Sequence, residues 1–189
     1  MKKGDETRAR IVEAAVRLFE QRGYAATGLN EILTDSGAPR GSLYHHFPGG
    51  KEELAVAVVL RHGDLVRQGL EAVLRSHTSP LRAMTEGLEL LASFNSASGS
   101  APGCPVSSIA LEMATQSPAL REAAEAVFES WRAVVANRLE GAGVPRAKAT
   151  VRARVLVSTV VGAVVLSRAY GDRGPLLDVK KTLPSLLDV

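Results

Sequence analysis

The apolar residues of this chain recur every three or four positions over most of its length, and this spacing constrains the fold more than any other feature. Between positions 6 and 22 they fall at i, i+3, i+4, i+7 and i+8, as Ile11, Ala14, Ala15, Leu18 and Phe19. That spacing places them on one face of an amphipathic α-helix, and Gly23 supplies its stop. The same pattern, interrupted by Gly and Pro, continues to the C-terminus. It predicts an all-α fold of about nine helices.

Composition narrows the class of protein further. The chain has 189 residues, of which 46% are hydrophobic and 23% charged, so one or two globular domains with a sizeable core are expected. The single cysteine, Cys104, excludes an internal disulfide and a multi-cysteine zinc site. The charged N-terminus is not followed by an apolar stretch, so we expect no signal peptide and a cytoplasmic location. Positions 1–51 contain eight basic and six acidic residues, and this small excess of positive charge is only weak evidence for nucleic-acid binding.

The first fifty residues are divided into three short helical segments. After the helix that ends near Arg22, Thr27 can cap a second helix of about two turns. A break at residues 36–39 then precedes a third helix from Arg40 to His46, which Phe47 and the following Pro48 terminate. Two short helices joined by a turn at Gly37, the second of them polar, form the helix-turn-helix that inserts a helix into the DNA major groove. A long fourth helix follows from Lys51 to about Ser76.

The rest of the chain is also predicted to be helical, with Gly and Pro marking the boundaries. The expected segments run over residues 81–94, 105–116, 118–139, 146–170 and 176–187. A rival interpretation makes residues 155–165 one or two strands because they are rich in β-branched side chains. The lack of turn residues inside this stretch, and of a partner strand elsewhere, favours a helix.

The most apolar segment, residues 155–167, is expected to be buried in protein. Its thirteen residues fall short of the roughly 20 that a membrane-spanning helix needs, so no membrane is expected. A helix that is apolar all round must be covered on most sides, and small residues within it allow another helix to approach closely. Self-association explains both features. The predicted dimer contacts are Val155, Ser158, Thr159, Gly162, Ala163 and Leu166.

Specific residues of the N-terminal segment resemble the DNA-binding domain of the TetR family of bacterial transcriptional repressors. They are Gly23-Tyr24, Thr27, Ile32, Gly37, the run Arg40-Gly41-Ser42-Leu43-Tyr44-His45-His46-Phe47, and Lys51-Glu52-Glu53-Leu54. The resemblance covers about residues 6–66. Three positions depart from the family pattern: Pro39 and Gly28 replace hydroxyl residues, and Leu33 replaces a small one. The resemblance implies a DNA-binding domain over residues 1–50 and an effector-binding and dimerisation domain over residues 51–189.

The resemblance also implies roles for individual residues. Thr27 and Tyr44 would touch phosphates, Lys51 would hold the DNA backbone, and Arg40, Gly41, Ser42 and His45 would face the groove. Such a division agrees with general physics, because phosphate contacts position a protein whereas base-edge contacts specify its site. The guanidinium of Arg40 can pair with O6 and N7 of guanine. Leu43 and Phe47 are interpreted as core residues that lock the third helix onto the first.

In the C-terminal half, the resemblance implies a dimer formed by the last two long helices and a pocket for a small effector. The candidate pocket residues are Leu88, Leu91, Phe94, Ile109, Met113, Phe128 and Trp131. Their apolar character favours a flat aromatic or otherwise hydrophobic effector, although such a stripe is also typical of plain core. The segments 103–106 and 109–112 resemble a subgroup of TetR regulators of multidrug-efflux and flavonoid-responsive genes.

These observations together predict a homodimeric repressor that a small hydrophobic effector releases from a palindromic DNA operator. No catalytic motif occurs, so an enzyme is disfavoured, and no cofactor is expected. The four histidines lack the spacing of a zinc site. Cys104 precedes a helix, which could make its thiol a redox sensor, but a small residue packed under a loop is the favoured interpretation. A helical small-molecule carrier and a protein-binding adaptor without DNA binding remain the alternatives.

Overall fold

The computed structural model describes residues 3–97 and 103–187 of the chain. Within these residues it contains nine α-helices and no strands, so the predicted all-α fold is confirmed. The helices are α1 (Lys3–Arg22), α2 (Leu29–Ser36), α3 (Arg40–His46), α4 (Gly50–Ser76), α5 (Pro80–Ala97), α6 (Pro105–Met113), α7 (Pro118–Glu140), α8 (Arg146–Tyr170) and α9 (Gly174–Leu187).

The alternative prediction of strands at residues 155–165 is wrong, because these residues lie in helix α8. The β-branched residues lie inside a continuous helix of 25 residues, since β-branching lowers helix propensity only slightly. By length and composition alone this helix is also able to cross a membrane. Core helices of soluble proteins pass the same test, so this is weak evidence for a membrane span.

The chain folds into two compact units, and the first consists of Met1–Asp64 together with Gly103–Val127. In this unit α1 packs against α2, α3 and α6, and α2 also packs against α3. Six helices and the residue after α3 contribute its largest fully buried side chains. They are Ile11 and Phe19 of α1, Ile32 of α2, Leu43 of α3 with the following Phe47, Leu54 of α4, Ile109 of α6 and Leu120 of α7. The predicted burial of Leu43 and Phe47 is confirmed.

The turn between α2 and α3 is built around Gly37. Its φ of 61° lies in the left-handed region, which glycine adopts without the steric cost that a side chain would add. The N-terminus of α2 differs from the prediction, because its N-cap is Gly28 and not Thr27. The carboxylate of Glu31 accepts a hydrogen bond from the Gly28 N–H at 3.0 Å, and this contact lowers the pKa of Glu31.

The second unit consists of Leu65–Pro102 and Phe128–Val189. In it α9 packs against both α5 and α8, and the buried residues of these helices form one continuous core with the end of α4 and part of α7. The guanidinium of Arg138 on α7 donates to the carbonyl oxygens of Leu74 at 3.0 Å and His77 at 2.9 Å. It therefore satisfies backbone acceptors that the end of α4 leaves free.

One helix end and one domain border predicted from the sequence differ from those in the structure. The helix predicted over residues 105–116 ends at Met113 as α6, and the N–H groups of Gln116 and Ser117 both donate to the Met113 carbonyl in the turn that follows. The expected domain border at residue 50 lies at the start of α4 and coincides with no border of the two units, because the first unit continues along α4 to Asp64 and includes α6, which packs on α1. As a division between DNA binding and effector binding, that border stays a prediction.

A close approach of α4 and α7 inside the first unit leads to a stability prediction. Gly63 on α4 is buried, and a Cβ atom there would lie 2.4 Å and 2.6 Å from the two methyl groups of Val127. Rotating the valine cannot clear both contacts, so Gly63→Ala should destabilise the protein by about 1–3 kcal/mol. Thermal unfolding followed by circular dichroism measures the effect.

Gly69, six residues further along α4, is the matched control. It is exposed, and nothing lies within 4 Å of a Cβ placed on it. Replacing an exposed helical glycine by alanine should stabilise the protein by up to about 1 kcal/mol. The two Gly→Ala variants are therefore expected to shift the melting temperature in opposite directions, and shifts of the same sign would contradict the packing argument.

Candidate nucleic-acid interface

The helix α3 exposes its polar side chains on one face and buries its apolar ones on the other. Leu43 is fully buried, whereas Tyr44 is 62% exposed. The positions 40, 41, 44 and 45 span about 140° of the helix circumference. The structure thus places five of the seven predicted DNA-binding residues on this short helix: Arg40, Gly41, Ser42, Tyr44 and His45. All are exposed except Ser42, which is half-buried.

Lys51, in the first turn of α4, lies beside the turn that joins α1 to α2. Its Nζ atom lies 4.3 Å from the centroid of the Tyr24 ring and 3.5 Å from the carbonyl oxygen of Ala25. Partial burial lowers the pKa of the Lys51 ammonium, and the nearby carboxylate of Glu112 opposes that shift. The cation–π contact with Tyr24 restricts where the ammonium can lie. Lys51 is therefore a positioned cation and not a freely moving surface lysine.

Thr27 has a different environment from the other predicted contacts. Its side chain is only 1% exposed, and its hydroxyl donates to the carbonyl oxygen of Gly23 at 2.8 Å. The hydroxyl thus satisfies an acceptor at the C-terminal end of α1. A phosphate contact by Thr27 stays a prediction, and it would require this hydroxyl to give up its carbonyl partner.

Two arginines in the basic balance of the N-terminal segment are ion-paired within it. Arg17 lies 2.6 Å from a carboxylate oxygen of Asp35, and Arg22 lies 2.7 Å from one of Glu31. Both pairs join α1 to α2, and they are exposed enough that each adds little stability. Each pair removes one positive and one negative charge, so the net excess of two basic residues in positions 1–51 is unchanged, and it comes from basic residues other than Arg17 and Arg22.

Cys104 lies next to charged groups of the first unit. The Nδ1 atom of His62 on α4 lies 3.2 Å from Oε1 of Glu20. Burial alone would lower the pKa of His62, but the adjacent Cys104 and Glu20, which favour the charged imidazolium, raise it to about 9. For the Cys104 thiol the directions are reversed. Burial alone would raise its pKa, but the adjacent His62 and Ser107, which favour the thiolate, lower it. The favoured view of Cys104 as a plain packing residue omitted this polar environment.

The predicted effector-binding residues are divided between the two units. Ile109 and Met113 belong to the first, where Ile109 is fully buried. The others belong to the second: Leu88, Leu91, Phe94, Phe128 and Trp131. Phe128 and Trp131 form an edge-to-face ring pair with centroids 5.5 Å apart. The side chain of Phe94 lies outside the described residues. A ligand-binding role for this set stays a prediction.

Most of the predicted dimer residues lie on the outer side of α8. Val155 is 43% exposed and Leu166 is 45% exposed, and Ser158 and Gly162 are exposed between them, with Thr159 half-buried. We call Val151, Val155, Ser158, Gly162 and Leu166 the outer stripe of α8. Ala163 differs, because it is only 4% exposed and belongs to the core of its own unit. It is thus already covered within one chain.

Sequence reasoning missed Glu112, a carboxylate on α6. Its oxygens accept hydrogen bonds from the N–H of Tyr24 at 3.2 Å and of Ala25 at 2.7 Å. The partners are 88 and 87 residues apart in sequence, so no local pattern connects them. The signals available were a single charge on an otherwise uncharged helix and the resemblance of residues 109–112 to a TetR subgroup, and neither indicates the partner. In residues 3–97 and 103–187, no group of three His, Cys, Asp or Glu residues is arranged to hold a metal ion.

A short exposed polar helix, fixed by a glycine turn on a small helical unit, defines a helix-turn-helix DNA-binding protein. A family model described as bacterial regulatory proteins of the tetR family matches residues 11–58. A second model, described as the C-terminal domain of LmrA/YxaF-like transcriptional regulators, matches residues 80–182. The chain therefore belongs to the TetR family of bacterial transcriptional regulators.

Relatives and solved structures agree with this assignment over the whole chain. The HTH-type transcriptional regulator LmrA of Bacillus subtilis is 36% identical, over 96% of this chain and 97% of its own. The uncharacterized regulator YxaF of the same species is 37% identical, over 96% and 95%. A TetR regulator from Chloroflexus aurantiacus superposes with a TM-score of 0.83 at 30% identity, over 100% of this chain and 97% of that chain. Escherichia coli NemR in its reduced form shares the fold, with a TM-score of 0.82 at 24% identity, over 95% and 97%.

Proposed function

We propose that this protein is a homodimeric repressor in the cytoplasm that binds a palindromic operator and is released from it by a small hydrophobic effector. TetR-family regulators as a class bind DNA operators and small-molecule effectors and act as dimers. The observation that carries the proposal is the two-sided character of α3. Its polar side chains are exposed while Leu43 and the following Phe47 are fully buried, as a helix inserted into the major groove requires.

The DNA contacts follow from the placement of the charged groups. Arg40 lies at the N-terminal end of α3, from which base edges are read, and its guanidinium can pair with O6 and N7 of guanine. Tyr44 and Lys51 are suited to binding phosphate oxygens. Tyr44 presents its hydroxyl on the exposed face of α3, and Lys51 presents its ammonium at the start of α4. Gly41 has nothing within 4 Å of its Cβ position, so the DNA backbone can approach it closely.

The proposed dimer is supported by the apolar surface of α8. The outer stripe carries Val151 at 58% exposure as well as Val155 and Leu166, although the opposite side of the helix is already buried in its own unit. Exposed apolar side chains at this spacing are typical of a helix that packs against a second copy of itself. Two copies of α3 separated by roughly 34–36 Å would read half-sites one turn of DNA apart.

Release by an effector requires a ligand that binds one conformation better than another, because equal affinity shifts no equilibrium. The aromatic pair of Phe128 and Trp131 favours a flat aromatic compound. The helices α4 and α7 each have some residues in the first unit and some in the second. Either helix can therefore transmit a conformational change caused by the effector to the DNA-binding surface. Adding hydrophobic aromatic compounds to the preformed DNA complex tests this step, and compounds that bind without changing DNA affinity would contradict it.

DNA binding itself is tested with duplexes selected from genomic fragments, and two substitutions should affect it differently. Lys51→Ala should weaken binding to all sequences and reduce the slope of affinity against salt by about one, since it removes one phosphate contact. Arg40→Ala should cost about 1–3 kcal/mol on the selected duplex and relax base preference at one position of each half-site. Fluorescence anisotropy at several salt concentrations measures both.

Arg121→Ala is the control, because this arginine of the first unit is exposed and paired with Glu122 at 3.3 Å. It should bind like the parent protein. Identical sequence dependence in the Lys51 and Arg40 variants would refute the assigned roles. A parent protein with no salt-dependent affinity for any duplex would instead favour a protein-binding adaptor or a small-molecule carrier.

A further inference from the structure

The turn between α1 and α2 is held from outside by a helix distant in sequence. The carboxylate of Glu112 on α6 accepts hydrogen bonds from the adjacent N–H groups of Tyr24 and Ala25. A Cβ on the neighbouring Gly23 would lie 2.9 Å from Oε1 of the same carboxylate. The carboxylate thus lies directly against the backbone of the turn. Hydrogen bonds to an ionised acceptor are roughly twice as strong as those between neutral groups.

The same turn positions the ammonium group of Lys51. The ring of Tyr24 lies beneath Nζ at 4.3 Å, and the carbonyl of Ala25 lies 3.5 Å from it. Glu112 therefore fixes the two residues that in turn fix Lys51. It also acts on Lys51 directly, because its negative charge favours the protonated ammonium against partial burial.

A second polar contact joins the start of α4 to the segment that follows α6. Glu52, the next residue on α4, accepts a hydrogen bond from the hydroxyl of Ser117 at the start of α7. The oxygen of that hydroxyl also accepts from the Leu120 N–H at 3.2 Å. Residues 112–117 therefore make polar contacts both with the turn that holds Lys51 and with Glu52, its neighbour on α4.

We propose that Glu112 is a positioning residue for operator recognition, which holds the α1–α2 turn and Lys51 in the geometry that the DNA backbone requires. The inference rests on the proposed DNA binding. It assigns Glu112 no contact with DNA, since a carboxylate would repel phosphate. Its effect is on the position of a cation, so it concerns the specific complex, in which Lys51 must meet one phosphate.

The test compares Glu112→Gln and Glu112→Ala with the parent on two duplexes, the genomically selected one and a scrambled one of equal length. Affinity for the selected duplex should fall about tenfold in the alanine variant and less in the glutamine variant, which keeps one acceptor. Affinity for the scrambled duplex should stay unchanged or rise, because a negative charge near phosphate has been removed. The ratio of the two affinities should therefore fall.

Amide hydrogen exchange in the free protein provides an independent measurement. Exchange at Tyr24 and Ala25 should accelerate about tenfold in Glu112→Ala, because their acceptor is gone. Glu125→Gln is the matched control, since this carboxylate of α7 is 66% exposed and contacts only Arg121 at 3.5 Å among the ion pairs of the described residues. It should leave both affinities and both exchange rates as in the parent.

Unchanged affinity for the selected duplex in both variants would overturn the inference, and so would an equal loss on both duplexes with a lowered melting temperature, which indicates a general role in stability. If the alanine variant does not fold, the same comparison in Glu112→Gln decides between these outcomes. Failure of the proposed function is seen in the parent, which would then select no duplex, and that result would overturn both proposals. Failure of this inference alone leaves the parent selective.

Discussion

Leu166→Glu is expected to convert the proposed dimer into monomers and to reduce operator affinity by about a hundredfold or more. Leu166 is 45% exposed in one chain, and the proposed interface would bury it against a second copy of α8. An unpaired carboxylate in such an interface costs several kcal/mol, because its charge loses hydration without gaining a partner. Monomers would bind each half-site alone and lose the gain from two linked contacts, typically 10²–10⁴ in affinity. Sedimentation velocity and anisotropy with the selected duplex measure the two effects.

Leu166→Met is the control at the same position, since an apolar side chain of similar volume is usually tolerated. It should remain a dimer with the parent's affinity for DNA. Thermal unfolding of both variants separates loss of the dimer from loss of the fold, because Leu166 lies outside the core residues of its own unit. If the glutamate variant sediments as a dimer, the outer stripe of α8 is not the interface.

The bounds of α3 could be predicted from sequence because its signals are local. Pro39 starts the helix and Phe47 with Pro48 ends it, and the structure places it at Arg40–His46 as expected. The cap of α2 could not be predicted in the same way. Thr27 and Gly28 are both acceptable N-cap residues, and only the fold reveals that the hydroxyl of Thr27 has another acceptor at Gly23.

The site residues that sequence missed depend on distant contacts. Glu112 meets the α1–α2 turn only after α6 packs on α1, and its lone charge on α6 does not reveal that partner. The inward orientation of Ala163 was missed for a related reason. Helix α8 is apolar on both sides, so its periodicity does not reveal which side faces its own unit and which stays exposed. The all-α class needs only the spacing of apolar residues and is therefore the most predictable level.

Phe47→Ala is expected to destabilise the protein by about 3–5 kcal/mol, the usual cost of removing a buried aromatic side chain. Phe47 is fully buried, its N–H donates to the Leu43 carbonyl at 2.7 Å, and the guanidinium carbon of Arg8 lies 5.0 Å from its ring centroid. The residue thus joins the end of α3 to α1. A loss of this size is a large part of the 5–15 kcal/mol that typically stabilises a folded protein, so operator binding should be lost together with the fold.

Tyr44→Ala separates the two effects, because this aromatic residue lies three positions earlier and is 62% exposed. Its removal should change stability by no more than about 0.5 kcal/mol and should nevertheless weaken operator binding through loss of a phosphate contact. Chemical denaturation and DNA titration of both variants test the pair. A Tyr44 variant that binds like the parent, or a Phe47 variant of normal stability, would contradict the division of α3 into a buried side that holds it and an exposed side that reads DNA.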